Sequence, residues 1–514
     1  MATSSRLLER ELKFSASPAL PLPDLRNLVE TTRLPEQHLQ AAYFDTADLR
    51  LWRQGITLRH RVGEGPEEGM WTLKLPSDSA GDALERTELS WPGTRASVPA
   101  EVTAILKGLL RHAELRQLFD LFTTRQRMVL HDRDGDRLGE LDDDLVTVEG
   151  GPNDGMRFRQ LELELAEEVH GAGQAKTTDA VAHALTAAGA HAGDGAKFAK
   201  ALGADAKRAQ SKRTLTKRAR MGDVVRASLE DGLGRLLAYD YLLRLEAAEP
   251  RAHDVHQARV ASRRLRSDLK TLKAVIDPVW NDHMRDDLRW LGNLLGEVRD
   301  LDVLRQQIES DRPEGADAGP RELDTVLSAQ RRRAVTALHE GLDGDRYVRL
   351  LDRLDAASVS PPLFVNAPRG HVAVHPGQPA RRGLPRVAHV PWRSLRKRVR
   401  KAGRTPTDVQ LHKIRIGAKQ LRYACELASP VEGKPARRTA RRAERLQTVL
   451  GEHHDAVFAE AWLRTESTRL TPAGTLDAGR LIEVQRQRQA DLRREWRRQW
   501  RAIAKKKARR WLKR

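Results

Sequence analysis

The spacing of hydrophobic and polar residues divides the chain into two parts. Up to about residue 205, apolar and charged residues alternate in short runs, as in residues 8–14 and 160–165. A period of two is that of a β-strand, in which successive side chains point to opposite faces. From about residue 222 onward, leucines recur at spacings of three and four, the period of an amphipathic helix. The pattern predicts a β-rich first part and an all-helical second part.

About eight short strands are predicted in the first part, each with one charged and one apolar face. In the opening strand, the period of two places Glu9, Glu11 and Lys13 on one face. The other charged faces carry Arg59, Arg61, Lys74, Arg86, Glu88, Arg125, Arg127, Glu140, Asp142, Asp144, Glu162 and Glu164. A sheet with a solvated outer face would also alternate in this way. The abundance of Arg, Glu and Asp favours instead a closed eight-stranded barrel, which is wide enough for one small ligand.

Two motifs occur twice in the second part. The first motif reads His256-x-x-Arg259-x-x-x-Arg263-Arg-Leu265-Arg266, and its second copy, 156 residues later, reads His412-x-x-Arg415-x-x-x-Lys419-Gln-Leu421-Arg422. A Leu-Gly-Glu-x-x-Asp motif at residues 295–300 recurs 155 residues later at 450–455. The nearly constant offset predicts an internal duplication. Its halves lie at about residues 222–357 and 392–510, separated by a proline- and glycine-rich loop.

Each copy of the first motif forms a basic stripe on its helix. Positions i, i+3, i+7 and i+10 of a helix fall within a wedge of about 80°. The stripes consist of His256, Arg259, Arg263 and Arg266, and of His412, Arg415, Lys419 and Arg422. A solvated face, or ion pairs to acids such as Asp300 and Asp455, would explain one such stripe. Its repetition favours an anionic ligand that both halves share, whereas a metal site is disfavoured because the basic neighbours would repel a cation.

The charge also differs between the two parts. Residues 1–205 contain 24 Lys and Arg against 33 Asp and Glu, a net charge of −9, whereas the remaining residues carry a net charge of +29. A basic excess of this size predicts an anionic partner, such as polyphosphate, nucleic acid or an anionic membrane. No apolar run reaches the roughly 20 residues needed to cross a bilayer. Because the N-terminus also lacks the apolar core of a signal peptide, a cytoplasmic protein without a membrane span is expected.

The strands of the first part contain an ordered set of motifs. They are Glu9-x-Glu11-x-Lys13, Tyr43-Phe44-Asp45-Thr46, Leu58-Arg59-x-Arg61, Thr72-x-Lys74, Thr124-Arg125, Glu162-x-Glu164 and Ala196-Lys197. In this order they resemble the motifs of the CYTH domains, also called triphosphate tunnel metalloenzymes. The resemblance covers nearly all of residues 1–205. It implies an antiparallel barrel that hydrolyses triphosphate-bearing substrates with Mg²⁺ or Mn²⁺, although a few members cyclise ATP instead.

The resemblance also implies roles for individual side chains, and their chemistry agrees with those roles. Triphosphate oxygens would accept charge-assisted hydrogen bonds from Lys13, Arg59, Arg61, Lys74, Arg125 and Lys197. Hard divalent cations prefer carboxylate oxygens, and these would come from Glu9, Glu11, Asp142, Glu162 and Glu164. Such an ion would neutralise the phosphate oxygens and polarise water.

The roles of some residues are specified, whereas those of others are left open. Glu9, Glu11 and Lys13 are the candidate catalytic residues. Asp142 is chosen by its position among three neighbouring acids, and Asp144 is the second choice. The residues whose role is left open between ligand contact and a structural ion pair are Arg86, Glu88 and Arg127.

The repeated motifs of residues 222–510 resemble the CHAD domain, a helical domain frequently fused to CYTH domains. The resemblance implies two duplicated four-helix bundles with a basic groove that binds inorganic polyphosphate, here through the eight residues of the two stripes. The expected fold is therefore multi-domain α+β. A barrel with flanking helices occupies residues 1–205, a basic linker residues 206–221, and an all-α domain residues 222–510.

Together the resemblances predict a triphosphatase that acts on inorganic triphosphate or a related substrate and is joined to a polyphosphate-binding domain. Association with polyphosphate granules would follow from that binding. The alternative is a tethering protein that binds polyphosphate without catalysis, while adenylate cyclase and thiamine triphosphatase activities are less favoured. Nucleic acid is the disfavoured competitor for the helical domain. The sequence does not indicate an oligomeric state.

Overall fold

The computed structural model describes residues 5–76, 84–166, 172–193, 196–210, 214–312, 320–364 and 374–513. The chain forms two compact units, residues 1–212 and residues 213–514. The first is built around a β-sheet and the second from helices. The multi-domain α+β prediction is confirmed.

The described part of the first unit contains ten strands and six helices. The strands are β1 (Ser5–Ala16), β2 (Glu30–Arg33), β3 (Gln37–Asp45), β4 (Thr57–Val62), β5 (Met70–Pro76), β6 (Leu84–Pro92), β7 (Arg116–His131), β8 (Arg137–Glu149), β9 (Arg157–Leu165) and β10 (His191–Ala192). The helices are α1 (Arg50–Arg53), α2 (Ala100–Ile105), α3 (Lys107–Leu110), α4 (Ala172–Ala187), α5 (Lys197–Leu202) and α6 (Ala204–Gln210).

Eight of these strands follow one another in an antiparallel circuit. The order is β1-β6-β5-β4-β3-β7-β8-β9, and β9 pairs again with β1. Strand β1 pairs with β6 over residues 5–11 and with β9 over residues 11–16, so Glu11 is the residue that these two ladders share. Along each half of β1 one of these two ladders is therefore missing, and the predicted barrel is not closed over its full length. The short β2 and β10 pair with β7 and β1, respectively.

The outer face of the barrel is apolar where a helix covers it. Leu141 of β8 and Leu161 and Leu163 of β9 are buried together with Val181 and Leu185 of α4. These strand residues alternate with the charged ones predicted to point inward, as the period of two requires. Burial of the leucines against α4 thus leaves the charged side chains on the inner face.

The inner face is itself apolar at one end. Tyr43, Phe119 and Phe158, from β3, β7 and β9, belong to a buried cluster with Phe198 of α5. The ring of Phe198 lies 5.5 Å from that of Tyr43, 5.4 Å from Phe119 and 4.8 Å from Trp52. The rings and α5 therefore plug one end of the barrel. In the next helix Ala206 is buried and accepts a hydrogen bond from the Trp52 indole at 3.0 Å, so the predicted linker begins inside a packed helix of this unit.

The second unit is helical throughout its described residues. Its helices are α7 (Met221–Leu245), α8 (Ala252–Thr271), α9 (Pro278–Ser310), α10 (Pro320–Asp343), α11 (Asp345–Val359), α12 (Ala380–Ala402), α13 (Asp408–Glu432), α14 (Lys434–Ser467) and α15 (Pro472–Ala504), followed by the 3₁₀ segment Lys506–Lys513. Helices α7–α10 pack in sequence, as do α12–α15, and α11 packs on α7 as a fifth helix of the first half. Within the described ranges, none of the helices combines the length and the apolar character needed to cross a membrane.

The start of the second half differs from the prediction. Residues 380–391 form the first half of α12, although Pro385 and Pro391 favoured a loop there. Proline removes a backbone donor and strains the preceding turn. Leu384, Val387 and Ala388 are nevertheless buried in the bundle, and burial of this apolar face outweighs the local preference.

The packing of Phe198 in the plug generates the first prediction. Phe198→Ala should lower the free energy of unfolding by about 3–5 kcal/mol, because the residue is buried against three aromatic rings. Denaturant unfolding of the whole chain, followed by tryptophan fluorescence, measures the change. Phe122→Ala, at a position 38% exposed, is the control and should change it by less than about 1 kcal/mol. Equal effects of both substitutions would contradict the plug.

Candidate functional site

Three carboxylates meet on neighbouring strands inside the barrel. Glu11 of β1 lies opposite Glu164 of β9, and Lys13 lies opposite Glu162. Oxygens of Glu11, Glu162 and Glu164 lie within 4.8 Å of one another. Like charges this close repel and need cations nearby. The structure thus brings three of the predicted metal ligands together.

Two lysines neutralise this cluster. The Lys13 ammonium lies 2.9 Å from Glu11 Oε1 and 3.1 Å from Glu162 Oε1. Lys197, the first residue of α5, has its ammonium 2.8 Å from Glu162 Oε2 and 2.5 Å from Asp144 Oδ2. Burial raises the pKa of Glu162, but the charges of Lys13 and Lys197 outweigh burial and hold this pKa well below its usual value. Glu162 is therefore an ionised centre that both lysines share.

Arg125 of β7 pairs with three carboxylates. Its Nε and Nη2 donate to the two oxygens of Asp144, each at 2.7 Å, in the forked geometry of a strong arginine–carboxylate pair. Nη1 contacts Asp142, and Nη2 lies 3.5 Å from Glu162 Oε2. Burial lowers the pKa of Arg125, but Asp144 and the other acids outweigh burial and raise it. This predicted triphosphate ligand therefore has carboxylate partners already.

Asp142 and Asp144 have different surroundings although both lie on β8. Burial raises the pKa of Asp144, but Lys197 and Arg125 reverse the shift and lower it. For Asp142, burial outweighs the opposing charge of Arg125 and, with nearby acids such as Glu164, raises the pKa to about 8. Asp142 Oδ1 is buried without a hydrogen-bond partner in the part of the chain that is described. An oxygen of this kind can take a metal ion or a proton, which supports the choice of Asp142 over Asp144.

A second group of cations lies on β4 and β5. The Lys74 ammonium is 2.9 Å from Glu88 Oε2, and Arg59 Nη2 is 3.9 Å from Glu88 Oε1. Burial raises the pKa of Glu88, but Lys74 and Arg59 outweigh burial and lower it to about 2. The neighbouring Arg61 pairs with Glu64. Glu88, whose role was left open, thus neutralises two of the predicted phosphate-binding residues.

In the Tyr-Phe-Asp-Thr motif, Asp45 has a structural role, whereas Tyr43 lies beside the candidate site. Asp45 is fully buried and accepts three backbone N–H hydrogen bonds of 2.6–3.0 Å around α1, so it fixes that turn. Tyr43 lies opposite Arg59 in the strand register. Burial raises the pKa of its phenol, but Arg59 and Lys197 outweigh burial and lower it. Sequence reasoning did not assign Tyr43 to the site, because its position opposite Arg59 is visible only in the folded sheet.

The remaining interior candidates fall into two groups. Glu9 and Arg86 are partners in the backbone register of β1 and β6, and their side chains lie outside the described residues. Arg127 pairs with Glu140, to which Arg137 also donates at 3.0 Å. Arg127 is thus held in an ion-pair cluster near the barrel rim rather than with Arg125.

The residues present fit a divalent metal ion. Both carboxylate oxygens of Glu11 are buried and lack a hydrogen-bond partner within the described chain, and Oε1 has only the ion pair with Lys13. Unsatisfied buried carboxylate oxygens are costly unless a ligand completes them. Glu11, Glu162 and Glu164 would supply an all-oxygen set of the kind that Mg²⁺ or Mn²⁺ prefers.

In the second unit, the two repeated motifs pack on each other. Arg259 Nη1 donates to Asp300 Oδ1 at 2.6 Å and to the Gly296 carbonyl at 3.3 Å. A β-carbon on Gly296 would lie 3.4 Å from the Arg259 guanidinium, and one on Gly451 would lie 3.6 Å from that of Arg415. The glycine of each Leu-Gly-Glu motif therefore lies against the arginine of the corresponding His-x-x-Arg motif.

The two basic stripes meet between the halves. Burial lowers the pKa of Arg263 to about 10, and the charges of Arg259 and Arg415 add to this shift. Three arginines, from α8 and α13, thus share one region. His412 Nδ1 lies 3.3 Å from His454 Nδ1 at the same end of α13. The arrangement concentrates positive charge where the halves contact.

Other stripe residues are placed differently. Arg422 donates to Glu426 at 2.7 Å and pairs with Glu444 at 2.9 Å, so internal acids neutralise it. Burial and a nearby arginine lower the pKa of both His256 and Arg266. Lys419 is half-buried on the same helix as Arg422. Of these four stripe residues, Arg422 is the one that carboxylates in the described chain neutralise.

Lys270 is a residue that the sequence analysis missed. It lies four residues after Arg266 and continues the α8 stripe at position i+14 from His256. Burial lowers its pKa, and the charges of Arg285 and Arg398 contribute. The corresponding position in the second half is the acid Glu426, so extending both copies by one turn would have revealed this difference.

Comparisons with known proteins agree with this architecture. The CYTH domain model matches residues 7–187, and the CHAD domain model matches residues 227–464. The uncharacterized protein MT2285 of Mycobacterium tuberculosis (strain CDC 1551 / Oshkosh) is 30% identical over 532 residues, which cover 98% of this chain and 96% of that protein. The chain therefore belongs to the family of proteins that join a CYTH domain to a CHAD domain, and both resemblances are confirmed.

Solved structures resemble parts of the chain. The CHAD domain from the plant Ricinus communis is 27% identical, with 57% of this chain and 95% of that chain covered and a TM-score of 0.45. PptA from Streptomyces chartreusis is 21% identical, with 55% of this chain and all of that chain covered and a TM-score of 0.44. At the level of the family, CYTH domains bind triphosphates, depend on metal ions and include triphosphatases and cyclases.

The carboxylate cluster generates a prediction about metal binding. Saturating Mg²⁺ or Mn²⁺ should raise the melting temperature of the whole chain by about 3–8 °C, because an ion that binds only the folded state stabilises it. Glu164→Gln should abolish most of this gain, since it removes one carboxylate of the cluster. Glu149→Gln, at an exposed position of β8, should keep the gain. A wild-type melting temperature that neither ion changes would contradict the metal site.

Proposed function

We propose that the first unit hydrolyses a phosphoanhydride bond of inorganic triphosphate, or of the end of a longer phosphate chain, with Mg²⁺ or Mn²⁺. We further propose that the second unit binds inorganic polyphosphate, and that both act in the cytoplasm. The observation that carries the first proposal is the cluster of Glu11, Glu162 and Glu164 directly beside Lys13 and Lys197. The cluster supplies oxygens for a metal ion and ammonium groups for phosphate in one buried space.

The inner cations would exchange partners when substrate binds. Lys13 and Lys197 now contact carboxylates, and a bound metal ion would supply the positive charge that those carboxylates require. The lysines, together with Arg59 and Lys74, could then donate to triphosphate oxygens. Tyr43, held close to Arg59 by the strand register, would help to orient that guanidinium.

Asp142 is the proposed base. Its Oδ1 is buried and has no hydrogen-bond partner among the residues described, and burial raises its pKa. In its ionised form, such a carboxylate would accept the proton of the attacking water, as general-base catalysis requires. When bound, the metal ion would supply charge neutralisation at the phosphate oxygens. Asp144, held by Arg125 and Lys197, would instead position the cations.

The aromatic plug supports a substrate with a free end. Phe119, Phe158 and Phe198 fill one end of the barrel, so a phosphate chain would enter from the other end. A terminal triphosphate could reach the carboxylates, whereas the middle of a long chain could not pass through. This favours inorganic triphosphate or chain ends as the substrate class.

A second candidate function is polyphosphate tethering without catalysis. The pairing of Lys13, Arg125 and Lys197 with carboxylates favours it, because these cations would first have to leave existing partners. Cyclisation of ATP and hydrolysis of thiamine triphosphate are less favoured, since the sequence shows no aromatic pocket for a base.

Polyphosphate binding by the second unit rests on the arginines between its halves. Burial lowers the pKa of both Arg263 and Arg415, and the charge of nearby Arg259 adds to each shift, so the three guanidinium groups lie close together. Asp300 of the first Leu-Gly-Glu motif accepts a hydrogen bond from Arg259 and also lies near Arg263 and Arg415, while Asp455 of the second motif lies near Arg415. A polyanion would relieve the repulsion among the three guanidinium groups.

Hydrolysis can be tested directly. The wild-type chain should release phosphate from inorganic triphosphate in the presence of Mg²⁺ or Mn²⁺. Glu11→Gln and Lys13→Ala should each lower kcat/KM at least about 100-fold, because each removes a group proposed to contact metal or phosphate. Exposed Glu149 provides the control, and Glu149→Gln should retain activity. If the wild type releases no phosphate with either ion, the tethering function replaces hydrolysis.

Polyphosphate binding generates a separate prediction. Arg263→Gln should weaken binding of polyphosphate by the whole chain about tenfold, since a charge-assisted contact contributes about 1.5–3 kcal/mol. The affinity of the wild type should also fall steeply with salt. Arg480→Gln removes an exposed arginine already paired with Asp477 at 3.3 Å and should have little effect. Stronger binding of DNA at equal phosphate concentration would assign the second unit to nucleic acid instead.

A further inference from the structure

Helix α12 carries positive charge without compensation in its own sequence. Its 23 residues include nine Lys and Arg and no Asp or Glu. Of these, Arg382, Arg386, Arg393, Lys397 and Arg400 are exposed and fall within about 60° of arc on a helix. We call these five residues the α12 face. The face extends for most of a helix about 34 Å long.

The α12 face points away from the bundle. The opposite side of the helix carries Leu384, Val387 and Leu395, which are buried in the second unit. Burial of this apolar side fixes the rotation of the helix, so the basic residues cannot turn inward. Their exposure is therefore a fixed property of the folded unit.

Helix α15 of the same unit also carries exposed arginines, but neighbouring acids compensate their charge. Three of its exposed arginines pair with an acid at i−3: Arg480 with Asp477 at 3.3 Å, Arg498 with Glu495 at 2.8 Å, and Arg494 with Asp491. Across the described chain, no residue of the α12 face has such an ion pair. Like charges at i and i+4, such as Arg382 and Arg386, destabilise a helix. An external polyanion would remove this repulsion.

The α12 face is continuous with the basic region between the halves. Stripe residue Lys270 of α8 lies near Arg398 of α12, and the two helices are in contact. Arg398 is held at this edge by a 2.6 Å hydrogen bond to the Lys413 carbonyl. Lys401 and Lys397 lie at angles around the helix between Arg398 and the exposed side. Positive charge therefore runs from the α8 stripe onto the α12 face.

The chemistry of the face favours a linear phosphate chain. Arginine binds phosphate oxygens through forked donors. The exposed side offers one large apolar residue, Val390, which is too little for insertion into a membrane. It carries no aromatic residue on which the bases of a single-stranded nucleic acid could stack, because Trp392 is buried.

We propose that the α12 face is a second binding segment for linear inorganic polyphosphate, continuous with the region between the halves through Lys270 and Arg398. The proposal rests on the proposed polyphosphate binding of the second unit and adds a dependence on chain length. Short chains occupy only the region between the halves. Long chains occupy both segments, and the second contact is then intramolecular and strengthens binding.

The test uses the whole chain and three variants. R386Q/R393Q/R400Q removes three charges from the α12 face, and R480Q/R494Q/R498Q removes three charges from α15 as the matched control. R263Q changes the region between the halves. Dissociation constants, expressed per phosphate, are measured for polyphosphates of about ten and about one hundred phosphates, lengths chosen to reach one segment or both.

We expect the wild type and the α15 variant to bind the long chain at least about tenfold more tightly than the short chain. The α12 variant should lose this preference and keep its affinity for the short chain, which also shows that it is folded. R263Q should weaken binding of both chains.

Three results would overturn the proposal. If the wild type binds the short chain without preferring the long one, the α12 face is not a second binding segment, and the proposed polyphosphate binding still stands. Equal losses in the α12 and α15 variants would show that net charge alone decides affinity. If duplex DNA competes for the α12-dependent part of long-chain binding more effectively than added polyphosphate does, the α12 face would be a surface for nucleic acid. A wild type that binds neither chain would instead refute the proposed polyphosphate function itself.

Discussion

Ion pairing between buried side chains inside the barrel is the constraint on which the first unit depends. Removing a charged group from water costs several kcal/mol unless a partner of opposite charge replaces the solvent. Arg125 is shared by Asp142, Asp144 and Glu162, and Glu162 is shared in turn by Lys197. Each strand must therefore present its charges in register with its neighbours. Helix α5 must also bring its lysine to the end of the barrel that Phe198 plugs. The antiparallel circuit is the fold that satisfies these requirements together.

The parts of the site that local periodicity determines could be predicted. Glu11 and Lys13 share a face because they are two residues apart, and Glu162 and Glu164 do so for the same reason. Which strands are neighbours is a tertiary property, so alternation alone could not predict that β1 pairs with β9. The choice between Asp142 and Asp144 also depended on cross-strand partners, since both residues have the same local pattern. The aromatic plug escaped prediction because its rings come from strands and helices far apart in the chain.

In the second unit, helices α7–α10 and α12–α15 each pack in sequence, and α12 begins within the stretch that local signals assigned to a loop. Pro385 and Pro391 argue for a loop on local grounds, yet α12 runs through both. Burial of Leu384 and Val387 depends on the neighbouring helices, which no window of sequence contains. The repeat also concealed a difference between the halves. Lys270 and Glu426 occupy equivalent positions, and only the former extends a basic stripe.

The two units differ in whether the cations proposed to bind an anion already have carboxylate partners. Inside the barrel most described cations already have carboxylate partners, so an anion alone would gain little and would leave those carboxylates unpaired. A phosphate chain that arrived with a divalent cation would satisfy both sets at once, because the metal ion would replace the ammonium groups and phosphate would replace the carboxylates. The α12 face has no such internal counterions in the described residues, so its attraction for a polyanion would depend on the salt concentration. Under the proposed functions, internal ion pairing would make the first unit selective, whereas the lack of such pairing on α12 would favour capture of the chain.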